Sequence, residues 1–243
     1  TYTVVGTNTS SSCSGSMSGS SVISVNALPT AFTVTGGGAY CSGGTGISIG
    51  LNGSTAGVNY QLYRGTTAVG SAVPVTGSDL DFGPQTTAGS YTVVATNGTT
   101  LCTNNMTGSA VITINPLPTT FSVTGGGSYC AGGTGLPVGL SGSVSGTNYA
   151  LYNGSTLIGA ASGTGSALSF GLETAAGTYT VVATNVSTGC TNFMTGSVNI
   201  TINALPTVYN VTGGGAYCSG GTGMHIGLSG STSGISYKLY LGG

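Results

Sequence analysis

A thirteen-residue string, Val-Thr-Gly-Gly-Gly-Ala-Tyr-Cys-Ser-Gly-Gly-Thr-Gly, fills residues 34–46 and returns almost unchanged at 123–135 and 211–223. Its cysteines, Cys41, Cys130 and Cys218, stand 89 and 88 residues apart. A second marker keeps the same step: Tyr2-Thr3-Val4-Val5, Tyr91-Thr92-Val93-Val94 and Tyr179-Thr180-Val181-Val182. A period of that length is one small domain, so the chain reads as an array of near-identical modules. Leu-Pro-Thr junctions at Leu28, Leu117 and Leu205 divide it. The expected parts are the C-terminal strands of a preceding repeat (1–28), complete repeats over 29–117 and 118–205, and the N-terminal strands of a following repeat (206–243). The chain thus opens and stops in mid-repeat. Each junction is short and carries proline, which limits the angles between neighbours.

Within a repeat the apolar residues alternate with period two, as in half-buried strands. Ile47, Ile49 and Leu51 match Leu136, Val138 and Leu140, then Met224, Ile226 and Leu228. The intervening position varies freely as Ser48, Pro137 and His225, which marks it as outward. Tyr60, Leu62 and Tyr63 recur as Tyr149, Leu151 and Tyr152 and as Tyr237, Leu239 and Tyr240. Asn153-Gly154, with Arg64-Gly65 in the same place, predicts a type I′ hairpin. Leu80 and Phe82 pair with Leu168 and Phe170. Ala-Gly-Ser/Thr-Tyr-Thr-Val, at 88–93 and 176–181, has the form of a turn feeding the tyrosine-corner strand of an immunoglobulin-like sandwich. About seven short strands per repeat and no helical periodicity give an all-β class: tandem immunoglobulin-like β-sandwich repeats of about 88–89 residues.

Composition narrows function by exclusion. Only Arg64, Lys238, Asp79, Asp81 and Glu173 carry charge among 243 residues. That leaves no basic field for nucleic acid and no acidic cluster for calcium. No apolar stretch is long enough to span a bilayer as a helix. His225, the sole histidine, falls on an outward strand position with no second histidine or nearby acid, so neither a metal site nor acid–base chemistry is expected. Asp79 and Asp81 lie two apart on one strand face, within glycosidase spacing. Their counterparts are Ala167 and Ser169, and solvated charges guarding a strand edge fit them better. Glu173 aligns with Gln85 and has no partner. The glycine runs precede strands without a nearby lysine, so they do not form a phosphate loop. They suit positive φ or close backbone approach. No enzyme and no cofactor are expected.

Six cysteines keep to two places in the repeat: Cys13, Cys102 and Cys190, and Cys41, Cys130 and Cys218. All six are disulfide candidates, in keeping with an oxidising, extracellular setting. Repeat-internal bonds would join Cys41 to Cys102 and Cys130 to Cys190. Junction-crossing bonds would join Cys13 to Cys41, Cys102 to Cys130 and Cys190 to Cys218. A module that must fold alone favours the internal set. Sandwich topology, which places these positions at opposite ends, counts against it. Free buried thiols are the remaining option.

The pattern Tyr-Cys-Ser-Gly-Gly-Thr-Gly before a strand, then Ala-Gly-Thr-Tyr-Thr-Val-Val-Ala-Thr-Asn, then Gly-Cys-Thr, resembles the immunoglobulin-like repeats of large secreted surface and adhesin-type proteins of Bacteroidota. The resemblance covers nearly the whole chain. It implies an extracellular or cell-surface structural protein: an adhesin stalk, or a filament subunit that self-associates into a fibre or array. Low charge removes long-range repulsion between copies and suits that reading. The alternative is a multivalent carbohydrate- or surface-binding array. Its candidate contacts are Tyr63, Tyr152 and Tyr240, expected to point away from the inward leucines.

Overall fold

The computed structural model describes residues 1–74 and 77–242, arranged as two compact units, Thr1–Leu117 and Pro118–Gly243. Every regular element among the described residues is a β-strand.

The first unit opens with a small hairpin, β1 (Val5–Thr7) and β2 (Ser14–Ser16). Nine strands then build a sandwich: β3 (Val34–Gly36), β4 (Gly38–Cys41), β5 (Ile47–Leu51), β6 (Val58–Arg64), β7 (Thr67–Pro74), β8 (Leu80–Gln85), β9 (Gly89–Asn97), β10 (Thr103–Asn105) and β11 (Ala110–Asn115). One sheet has the order β3-β5-β8. The other runs β4-β11-β9-β6-β7, with β10 also on β9. All pairings are antiparallel except β4 with β11. This is the immunoglobulin-like arrangement, with the first strand divided between the two sheets.

Glycine makes that division possible. Gly36 and Gly37 have φ of 89° and 79°, a region that L side chains rarely enter. A Cβ on Gly36 would strike the Ser48 carbonyl oxygen, and one on Gly37 would lie 2.8 Å from that of Val111. The Gly-Gly-Gly run therefore lets the backbone cross from one sheet to the other where no side chain fits. The expected seven strands become nine because the first divides into β3 and β4 and the last into β10 and β11.

Between the sheets, Val34, Ile49, Leu51, Val58, Tyr60, Leu62, Tyr91, Val93 and Ile112 form a closed core, with Phe32, Leu80 and Phe82 packed at its margin. The two central tyrosines are fully buried, and both keep their hydroxyls bonded, as buried polar groups must. Tyr91 Oη donates to the Thr87 carbonyl at 2.7 Å, closing the tyrosine corner. Tyr60 Oη accepts from the Thr55 N–H at 3.0 Å.

The second unit repeats this plan with β12 (Val123–Gly125), β13 (Gly127–Cys130), β14 (Leu136–Leu140), β15 (Thr147–Asn153), β16 (Thr156–Ser162), β17 (Leu168–Glu173), β18 (Gly177–Asn185), β19 (Thr191–Phe193) and β20 (Val198–Asn203). The sheet orders are β12-β14-β17 and β13-β20-β18-β15-β16, with β19 on β18. The core keeps most of the same places: Val138, Leu140, Tyr149, Leu151, Tyr179, Val181 and Ile200 match, while buried Thr147 stands where the first sandwich has Val58. Tyr179 Oη donates to the Ala175 carbonyl at 2.8 Å. A last hairpin, β21 (Val211–Gly213) with β22 (Ile226–Leu228), follows the sandwich.

One turn differs from its sequence expectation. The β15–β16 hairpin closes on the Asn153–Thr156 pair, so its central residues are Gly154 and Ser155 rather than Asn153 and Gly154. Gly154 has φ 59° while Ser155 is not in the positive-φ region. Glycine at the first central position with a following negative φ is the type II′ pattern, not I′. Gly65 in the β6–β7 hairpin, at φ 59°, does the same.

Candidate functional site

The side chains able to make or break a covalent bond are the cysteines, and the fold sorts them into two classes. Cys41 ends β4 in register with Asn115, where β11 leaves the sandwich, and the next residue's N–H donates to the Asn115 carbonyl. A tight turn follows, in which the Gly44 N–H donates to the Cys41 carbonyl at 3.0 Å. Cys130 ends β13 opposite Asn203, with the same turn closed by Gly133. Cys218 repeats the turn with Gly221 at 2.9 Å. Cys41 and Cys130 are exit cysteines, set beside the point where the chain leaves a sandwich.

The other class sits in the loop after the tyrosine-corner strand. Asn97 Oδ1 accepts from the N–H groups of Thr99 and Thr100, both at 2.9 Å, and the Asn97 N–H donates to the Cys102 carbonyl at 2.9 Å. Asn185 builds the same loop around Cys190, and Asn8 builds it around Cys13. The residue before each cysteine has positive φ: Ser12 at 60°, Leu101 at 57° and Gly189 at 71°. Two of the three are not glycine, so the six-residue loop imposes that conformation against ordinary preference. Asn104, on the strand that follows, donates through Nδ2 to the Pro29 carbonyl at 2.8 Å, and Asn192 does so to Pro118. Cys102 and Cys190 thus lie where the chain enters a sandwich.

Cys41 and Cys190 are disulfide-bonded; Cys13, Cys102, Cys130 and Cys218 are free thiols. Neither repeat-internal bond forms, because Cys102 and Cys130 are both reduced. The physical reason lies in the strand registers. Gly89 pairs with Ile112 near the exit pole, while Thr96 pairs with Thr103 at the entry pole. The nine residues of β9 separate the poles, about 27 Å at the rise of a strand. A disulfide needs Cα atoms within roughly 7 Å. The junction-crossing set, Cys13–Cys41, Cys102–Cys130 and Cys190–Cys218, does not form either, since each of those pairs includes a free thiol.

The tyrosines singled out by sequence behave differently from one another. Tyr63 and Tyr152 are half-buried on central strands, between cross-strand neighbours Ala68 and Thr92 in one case and Leu157 and Thr180 in the other. Tyr240 is 78% exposed and belongs to no strand.

The acids stand apart. Asp79 and Asp81 are exposed at β8, the edge of its sheet, and Asp81 Oδ1 accepts from the Gly83 N–H at 2.8 Å, an Asx-type turn. Glu173 ends β17, also a sheet edge. It bears electrostatically on buried Tyr179, whose phenol is pushed above its ordinary pKa by burial first and then by the Glu173 charge; a hydrogen bond from Asn153 opposes the shift, and Tyr129 adds to it. His225 is exposed. Among the described residues, no group of three or more His, Cys, Asp or Glu side chains is placed to hold a metal ion, and no helix is long and apolar enough to cross a membrane.

No protein-family model and no curated protein matches the chain. Among solved structures it is similar to fibronectin(III)-like modules of CbhA from Clostridium thermocellum, at 14% identity over 71% of this chain and 95% of that one, with a TM-score of 0.37. It is also similar to murine CEACAM1b, at 14% identity over 70% and 100% of the two chains, TM-score 0.35. A third is the set of three N-terminal domains of the bacteriophage RB49 Highly Immunogenic Outer Capsid protein, at 13% identity over 84% and 71%, TM-score 0.33. Likeness at this level says nothing of ligand or activity.

Proposed function

We propose that this chain is a structural repeat region of a secreted bacterial surface protein, an adhesin stalk or an extracellular filament. The observation that carries the reading is the equivalence of the two sandwiches. Ile49, Leu51, Tyr60, Leu62, Tyr91 and Val93 are buried in one, and Val138, Leu140, Tyr149, Leu151, Tyr179 and Val181 in the other. The exposed positions between them drift: Ser48 against Pro137, Asp79 against Ala167, Asp81 against Ser169. A chain held to one core while its surface changes is being held to a shape. Repeated shape serves spacing or assembly, and a net charge of −1 leaves little repulsion between copies.

The reading includes an extracellular setting, in keeping with oxidised Cys41 and Cys190, and a role without catalysis. The adhesin and Bacteroidota assignments rest on the sequence resemblance alone. The carbohydrate-binding alternative draws less support. Sugar stacking needs an open aromatic face, and of its three tyrosines only Tyr240 is exposed.

Electron microscopy of the purified chain tests the proposal. Strings of beads or ordered fibres with a repeat of one sandwich length are expected. Compact particles that cleave a glycan or peptide substrate would overturn it, and binding to a glycan array abolished by Tyr240→Ala would transfer the case to the alternative.

A further inference from the structure

Resting on the assembly reading of the repeats, we propose that the second sandwich pairs with a second copy of this chain along β16, edge to edge and antiparallel. Two equivalent edges differ. β7 and β16 each end the larger sheet of their sandwich, so one side of each faces no further strand. Such an edge templates strand addition unless it is guarded. β7 is guarded. Its pairing with β6 breaks between Val69 and Val73, so that Gly70, Ser71 and Ala72 stand against the single Gln61. Gly70 turns to φ 63°, which bends and twists the strand. Gln61 Nε2 donates to the Val69 and Gly70 carbonyls at 3.1 and 3.3 Å, so a side chain of the same sheet occupies them. Pro74 ends the strand, and Asp79 and Asp81 bring charge to β8, an edge of the facing sheet.

β16 has none of these guards. After the single extra residue Ile158, Gly159 to Ser162 pair without a break with Leu151 to Asn148. Gly159 does not enter the positive-φ region. Ala150 stands in the place of Gln61, Gly163 in that of Pro74, and Ala167 and Ser169 in those of Asp79 and Asp81. Bonded and unbonded pairs alternate along an antiparallel ladder. The Gly163 N–H donates to the Thr147 carbonyl at 2.8 Å. Counting back by alternate residues, Ala161 and Gly159 bond to β15, while Ala160 and Ser162 turn their N–H and C=O groups outward. Leu157 and Ile158, 57% and 40% exposed, continue the open edge. The other edges of this sandwich suit pairing less: β12 and β13 have three and four residues, and β17 carries Glu173 and a Gly171 at φ 101°. A two-fold axis sets each residue near its own copy, so any charge on the edge would meet itself. Residues 156–166 carry none, and the net charge of the chain is −1. A second copy fits this neutral edge, on which a charged segment finds no opposite charge. With the axis at Ala161, Ala160 of one copy faces Ser162 of the other, and their outward groups bond across the axis. The larger sheets of the two copies then run on as one.

The experiment uses the whole chain with its free thiols alkylated, so that no new disulfide forms. Sedimentation equilibrium should show the average mass rising with concentration from one chain toward two. In the dimer the Ala160 and Ser162 amides should gain protection from hydrogen exchange, while that of Ser71 stays as it was. Ala160→Lys places two like charges beside the axis, at an exposed position, and should weaken the dimer about tenfold or more. Ala160→Glu should do the same, and mixing the two variants should restore pairing. Ser71→Lys, the equivalent change on β7, should leave the dimer unchanged. Circular dichroism checks that each variant folds. A chain that stays single at every concentration, pairing that survives both Ala160 variants, a mixture of them that stays unpaired, or amides that gain no protection would each overturn the proposal. Beaded strings that never lie side by side in micrographs would sink the edge pairing while leaving the structural-array reading standing.

Discussion

Residues 34–64 and residues 211–240 have nearly the same sequence pattern and very different surroundings. Both form the first hairpin in one register: Val34 opposite Leu51 in the first case, Val211 opposite Leu228 in the second. Both form the same local tyrosine bond, Tyr60 with the Thr55 N–H at 3.0 Å and Tyr237 with the Thr232 N–H at 2.9 Å. Burial then parts company. Ile49 and Leu51 are 0% and 1% exposed; Ile226 and Leu228 are 53% and 38%. Tyr60 and Leu62 lie on a seven-residue strand, while Tyr237 and Leu239 lie on none. What the first segment has is β9 and β11 across the core. Local sequence sets turns, short registers and side-chain caps. The central strand and its burial come from pairings about thirty residues away, as β6 pairs with β9 from Val58–Asn97 to Arg64–Tyr91.

The largest test of that division is truncation of the same leucine in its two settings. Leu62→Ala and Leu151→Ala each remove a fully buried side chain and should destabilise their sandwich by about 2–5 kcal/mol. Leu239→Ala, at a residue 72% exposed, should leave the main unfolding midpoint within about 0.5 kcal/mol of the parent. Urea unfolding followed by tyrosine fluorescence measures all three. Equal losses at Leu62 and Leu239 would break the comparison.

The glycine run gives a finer cut, because its backbone is the same in both settings. Gly37, Gly126 and Gly214 have φ of 79°, 71° and 79°. A Cβ at Gly37 or Gly126 would lie 2.8 Å from a backbone oxygen, while one at Gly214 meets nothing within 4 Å. Alanine at Gly214 should therefore carry only the positive-φ cost, about 1 kcal/mol. Alanine at Gly37 or Gly126 adds a backbone collision at the sheet crossing, for a total of about 2–4 kcal/mol. The difference between the variants, read from thermal melts, isolates the packing at the crossing from the intrinsic backbone term. Smaller still is removal of the corner hydroxyl. Tyr91→Phe and Tyr179→Phe leave a carbonyl without its donor and should each lose about 1 kcal/mol.

The same division explains what could be read from sequence. Strand faces were legible because alternation is local: Ile49 and Val138 were placed inward, and Ser48 and Pro137 outward, from internal repetition alone. The tyrosine corner was legible because its residues are adjacent. The division of the first strand was not. Gly38-Ala39-Tyr40-Cys41 has too few apolar positions for a periodicity signal, and it becomes β4 only through parallel pairing with β11, some seventy residues on. The hairpin turn was placed one residue early and so typed wrongly, since that difference in strand ending moves glycine from the second central position to the first. Cysteine pairing was out of reach for a related reason. Spacing along the chain does not say which pole a residue occupies, and only the registers of β4 with β11 and β9 with β10 reveal that Cys41 and Cys102 face opposite ways.

The smallest effect concerns a charge that distinguishes the two sandwiches from each other. Glu173 occupies the place of Gln85 and faces buried Tyr179, whose phenol is raised above its ordinary value by burial and then by that carboxylate. A phenol with a raised pKa holds its proton more firmly folded than unfolded. Its contribution to stability is complete below the ordinary phenol pKa of about 10. The contribution is lost as pH climbs from there through the folded value, because the unfolded chain then binds fewer protons than the native one. The second sandwich should therefore lose urea resistance as pH rises above about 10. Tyr179→Phe should flatten that slope, since it leaves nothing to ionise. Glu173→Gln should only lessen it, since burial, the larger cause, remains. If Glu173→Gln removed the whole slope, the carboxylate rather than burial would be the dominant influence, and the phenol's place in a dry core would need to be redrawn.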